Sequence, residues 1–112
     1  MLVRNRSDVE TITYGDEAKG VEMRPLITER EGAPHFAMRV FSLEPGGHTP
    51  YHDHAWEHEV FVLAGTGVVR GADGERALRA GDAVFVAPQE THQFRAGTDG
   101  LQFICCVPNH PA

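Results

Sequence analysis

The chain has almost no cysteine: two in 112 residues, adjacent as Cys105 and Cys106. Neighbours on a strand point to opposite faces, so these two do not bridge one another. A disulfide framework and a cysteine-based zinc finger are excluded by number, and the usage fits a reducing compartment. No run approaches about 18 apolar residues, so no transmembrane helix is expected. The opening MLVRNRSDVE lacks the apolar centre of a secretory signal. A cytoplasmic location is therefore expected. Basic residues form no block, being scattered as Arg24, Arg30, Arg39, Arg70, Arg76, Arg79 and Arg95, and the formal net charge is −6. Such a field repels nucleic acid, and neither nucleic acid nor membrane is expected as a partner. A sustained apolar period of 3.6 residues is also missing, which removes amphipathic helices.

Glycine and proline cut the chain into short pieces, the all-β pattern. Val21–Thr28 and Phe36–Leu43 read as strands, the second ended by Glu44-Pro45-Gly46-Gly47. Glu57–Ala64 is a strand, Gly65-Thr66-Gly67 a turn, and Val68–Gly71 a further strand. Asp73-Gly74 marks a hairpin with Arg76–Arg79 as its return. Ala83–Ala87, Thr91–Arg95 and Leu101–Val107 complete the set, while residues 10–20 fit strand or loop. Val60-Phe61-Val62-Leu63 and Phe103-Ile104-Cys105-Cys106-Val107 are apolar on both faces. One face of each would line a barrel interior, the other a second sheet or a partner subunit. Eight or so short strands predict one domain over 1–112, a small all-β barrel or jelly roll with its core at about 21–108.

Seven histidines are present, and three fall within seven positions: His52, His54 and His58. His52 and His54 are two apart, so on extended chain they share a side. His58 opens the strand that carries Val60, and His92 follows on a later one. Histidines from separate walls of a barrel can converge on one metal. Neutral imidazole suits Fe, Mn, Co, Ni, Cu and Zn. His48 reads as a surface residue or a neighbour of the ligands, and His35 and His110 carry no signal.

These residues resemble the cupins. The first cupin motif is a glycine, five residues, His-x-His, three or four residues, a glutamate, six residues and a glycine. Gly46, His52 and His54 fit directly. Glu59 fits the first spacing to the acidic position but leaves five residues before Gly65, whereas His58 satisfies both spacings. His58 is therefore taken as the ligand, with Glu59 facing away. The second motif is degenerate: Gly81 and His92 hold their distance, but Ala87, Gln89 and Ala96 stand at its proline, glycine and asparagine positions. The resemblance implies a cupin-type barrel (jelly roll) with a four-histidine metal site, His52, His54, His58 and His92. It also implies a homodimer, with the N-terminal segment packing on the barrel or on the partner. One divalent transition metal per chain is expected, Mn or Fe(II) in preference to Ni, Cu, Zn or Co. With histidine for glutamate, the site keeps one more unit of positive charge and favours anionic ligands.

Other residues extend the site. Arg39 is a charge in an apolar strand, read either as a snorkelling outer-face residue or as an interior anchor for a carboxylate or enolate. Val60 shares the parity of His58, and Phe94 that of His92, so both line the cavity. Ile104 and Cys106 share a parity and are taken as cavity-lining too, Cys106 with a reactive alternative to an inert buried thiol. Tyr51 and Trp56 flank the ligands. The first functional expectation is a dioxygenase-like oxidoreductase acting on a small organic substrate with dioxygen or peroxide. The alternative is redox-silent isomerase or lyase chemistry, which needs a general acid or base. A non-catalytic binding or sensor module is the third.

Overall fold

The computed structural model describes residues 1–14 and 16–109, which leaves His110 outside the described residues. Among the described residues, seven strands form one antiparallel sheet: β1 Ile12–Thr13, β2 Lys19–Ile27, β3 Phe36–His48, β4 His58–Gly71, β5 Gly74–Arg79, β6 Ala83–Val86 and β7 His92–Pro108. The spatial order is β1-β2-β3-β7-β4-β5, with β6 also on β4. β4 is long enough to pair with β7 along one edge. Its other edge takes β6 opposite His58–Phe61 and β5 opposite Thr66–Gly71. The all-β, single-domain expectation is met.

Three of the expected breaks are not breaks. β3 continues through Glu44-Pro45-Gly46-Gly47, with its pairing to β7 shifting between Leu43 and His48. β4 continues through Gly65-Thr66-Gly67, with irregularities at Val62/Ala64 and Gly65/Gly67. β7 joins the two pieces expected at Thr91–Arg95 and Leu101–Val107. Glycines read from sequence as turns here make bulges, which bend a strand without ending it. The Asp73-Gly74 hairpin stands as expected, with Gly71 opposite Gly74.

The bulges also decide which side chains face inward. On β4 the buried set His58, Val60 and Val62 has even numbers, yet further on Val69 is the residue packed on the core. On β7, His92 and Phe94 are buried, but beyond the bend the buried residues are Leu101, Phe103, Cys105 and Val107. An aromatic column runs through the interior, with Phe41–Phe103 centroids 5.2 Å apart and Phe94–Phe103 4.7 Å. It ends at His92, 6.3 Å from Phe94. The core thus forms the floor beneath the histidines. On the outside, Phe36, Phe61 and Phe85 stay exposed. The N-terminal segment buries Val9, and Arg6 donates to Gln102 on β7 at 3.2 Å.

Candidate metal centre

His52 and His54 sit in the loop between β3 and β4, and the backbone fixes both. His52 and His92 exchange N–H···O bonds of 3.1 and 2.9 Å, and Gln89 N donates to His54 O at 2.7 Å. The loop is thereby stitched to the start of β7. His92 is buried, His54 half-buried and His52 exposed. One donor atom from each of these three lies within 4.8 Å of the others.

The rings are oriented as ligands need. His54 Nδ1 donates to Trp56 O at 2.9 Å, and His92 Nδ1 to Glu90 O at 2.8 Å. A carbonyl only accepts, so Nδ1 carries the proton and neutral Nε2 keeps its lone pair for the shared point. Trp56 also stacks on His54, with centroids 4.2 Å apart and planes at 2°. The donor set fits a divalent metal by its chemistry: three convergent imidazoles, two of them turned by a second hydrogen bond.

The four-histidine expectation is met in three by mutual distance. His58, on the first position of β4, is buried beside them. Its ring centroid is 4.3 Å from that of His54 and 5.2 Å from that of His92. Its Nε2 faces His54 Nε2, closer than an ordinary hydrogen bond. Glu59 is on the opposite face, exposed, and partial burial with the neighbouring Glu57 pushes its carboxyl up. His48 is half-buried, with Nδ1 donating to Thr49 O at 3.1 Å.

Beneath His58 lies a residue that the sequence reading missed. Cys105, not Cys106, is turned inward: its Sγ is 2.8 Å from His58 Nδ1 and accepts from Arg39 Nη2 at 3.3 Å. Cys106 and Ile104 are half-exposed on the outer face, opposite Met38 and Val40, so neither lines the interior. The parity of 101–107 was ambiguous because both faces are apolar, and the bend near Gly97–Gly100 reverses the parity carried over from His92. Burial pushes the Cys105 thiol up, against the pull of Arg39, and so keeps it protonated. Arg39 is on the interior face, its guanidinium 5.0 Å over Phe41 and its Nε buried without a partner. Val60 and Phe94 are buried in the core cluster.

His92 is held below the ordinary histidine range by burial, and His52 by desolvation of its inner edge together with the neighbouring His92 and His54. His58 is pushed down from 6.5 to about 3 by burial first, then by His54 and Arg39. Between those values the unfolded chain takes up a proton at position 58 that the folded chain refuses, so stability falls as pH falls. From pH 7 to pH 5 the metal-free protein is expected to lose about 2 kcal/mol at His58 alone. Urea unfolding midpoints read this directly. A midpoint that holds or rises on acidification would show that His58 is not held neutral.

Residues 39–107 match the cupin domain family, more than half of the chain. The chain belongs to the cupin family. Among solved structures, the polyketide cyclase RemF from Streptomyces resistomycificus superposes on this cupin with a TM-score of 0.93 and 32% identity. That match covers 99% of this chain and 81% of RemF. The oxalate-binding protein of Thermotoga maritima is 31% identical over 96% of this cupin and 93% of its own length. The 1-methylthio-D-xylulose 5-phosphate methylsulfurylase of Rhodospirillum rubrum is 35% identical over 71 residues, 62% of this chain but only 46% of that relative. This cupin therefore spans less than half of the methylsulfurylase. Cupins of such differing activities share the fold, so the reaction must be argued from the site.

Proposed function

We propose that this cupin is a metal-dependent enzyme acting on a small organic molecule with an apolar body and a carbonyl or carboxylate handle. The observation that carries the reading is the convergence of His52, His54 and His92 within 4.8 Å. His58 is proposed as the fourth donor, because its Nε2 faces that of His54. Cys105, itself held by Arg39, then meets the far side of the His58 ring and fixes its direction. When bound, the metal supplies Lewis acidity to a substrate oxygen or, as Mn or Fe(II), one-electron chemistry with dioxygen or peroxide.

Redox-neutral chemistry such as ring closure is the first reading, supported by whole-chain similarity to a polyketide cyclase. The chain's part is to orient the substrate in an apolar interior and to exclude water with Val60, Phe94 and Trp56. The dioxygenase-like oxidoreductase is the second reading. It is favoured by how little acid–base power surrounds the histidines. Cys105 is kept as a thiol, Tyr51 is stacked 4.7 Å from the Arg70 guanidinium, and Glu90 accepts from Ala87 N–H at 3.0 Å.

Elemental analysis of tag-free protein, with an electron paramagnetic resonance spectrum of the same sample, tests the reading. About one metal ion per chain is expected, with occupancy lost in His58→Ala and kept in Glu59→Ala. The reverse pattern would transfer the fourth position to Glu59, and no uptake by the parent chain would remove the metal reading altogether. Dioxygen consumption by Mn- or Fe(II)-loaded protein, absent with Zn, would favour the oxidoreductase. Turnover with Zn would favour the redox-neutral reading.

A further inference from the structure

A cavity of 790 Å³ opens beside the histidine cluster, and His92 is part of its wall. One wall is apolar, formed by Val69, Leu78, Val84 and Val86, and the rest is polar, including Asp82, Glu90 and His92. One cation belongs to the same inner surface. Arg76 on β5 lies directly opposite Val69 on β4, and Val69 lies directly opposite Phe94 on β7. Residues directly opposite in an antiparallel pair project to the same face of the sheet. Phe94 is interior, so the stem of Arg76 leaves the inner face, two positions from buried Leu78. Its head is exposed at the cavity rim. Among the described residues, Arg76 has no hydrogen bond or ion pair, unlike Arg39, which is spent on Cys105 and Phe41.

The carboxylates along the cavity do not claim it. Asp82 accepts from Arg79 N–H at 2.9 Å and Glu90 from Ala87 N–H. Glu75 lies opposite Arg70, on the outer face. Asp73 lies in the turn between β4 and β5, beyond the last paired residues.

We propose that Arg76 is a specificity-determining residue that docks the carboxylate of an apolar substrate, holding the apolar body over Val69 and Leu78 and the far end toward His92. The proposal deepens the metal-enzyme reading and rests on it for the identity of the reacting end. A guanidinium beside an apolar wall selects a planar anion by paired N–H donors, and it selects against a neutral isostere of the same shape. The substrate class is thus an aromatic or aliphatic monocarboxylate rather than a neutral hydrocarbon or a sugar.

Benzoate and its neutral isostere benzamide serve as probes, titrated by calorimetry into Zn-loaded and metal-free protein. Parent chain, Arg76→Gln and Arg76→Lys are compared, with metal content measured on every sample. In the parent, benzoate is expected to bind at least about tenfold more tightly than benzamide. Arg76→Gln should fall to the benzamide level, and Arg76→Lys should lie between. Equal benzoate affinity in the parent and Arg76→Gln would overturn the proposal, as would a parent that fails to distinguish the two probes or binds neither. The two readings fail separately. Arg76-dependent binding in a chain that takes up no metal would sink the metal reading alone. Metal-loaded protein with Arg76-independent binding would sink this one alone. Arg76 is exposed, so circular dichroism is expected to show all three chains equally folded.

Discussion

His92→Ala is expected to weaken divalent-metal binding at least about a hundredfold while leaving the barrel folded. Losing a partner one step removed from the metal typically costs ten- to a hundredfold, and losing a donor costs more. His92 is the donor with the firmest setting. It is buried, its Nδ1 is tied to Glu90 O, and its ring centroid lies 4.9 to 5.2 Å from those of the other three histidines. Its backbone bonds to His52 survive the substitution, so the loop stays in register. The stability cost is about 1 kcal/mol, for a carbonyl at Glu90 that loses its donor. Competition with a chromophoric chelator measures the affinity, and urea unfolding measures the cost. Unchanged affinity in the variant would mean that metal, where it binds, binds elsewhere.

Gly65→Ala should be the most damaging single methyl among the described glycines. Gly65 has φ +85°, and a Cβ there would press on the backbone carbonyl of Gly100 across the β4–β7 pair. Backbone cannot step aside as a flexible side chain does. The left-handed conformation alone costs an alanine about 1 kcal/mol, and displacing the paired strand brings the total to about 3 kcal/mol or more. Gly81→Ala is the matched control. Its φ of +94° imposes the same backbone penalty, but nothing lies within 4 Å of the new methyl. Thermal midpoints should separate the pair, with Gly65→Ala lower by about 8 °C or more. Equal losses would place the whole effect in φ and none in the close approach.

The histidines were legible because a ligand motif is a matter of spacing. His52, His54 and His58 announce themselves by number, and His92 by its distance from Gly81. The Gly46 and Gly65 positions were legible as special backbone but not as bulges. A glycine with positive φ serves a turn and a bulge alike, and only the partner strand tells them apart. The same ambiguity hid Cys105 behind Cys106. Strand parity holds only between irregularities, and β7 has its bend between His92 and the cysteines. Arg76 was invisible as a site residue for a related reason. Its facing depends on standing opposite Val69, which is a fact of register and not of local sequence.

β7 is the last of the described strands in the chain, yet it lies in the middle of the sheet, between β3 and β4. During synthesis both of its neighbours emerge first and wait with an open edge toward the same gap. Such edges are templates for pairing with other chains. The late strand closes both at once. It also brings His92 to His52 and His54, whose loop it pins, and sets Cys105 under His58. A nascent chain that has not yet threaded β7 home therefore has no cluster to offer a metal, and ion capture becomes a report that assembly is finished.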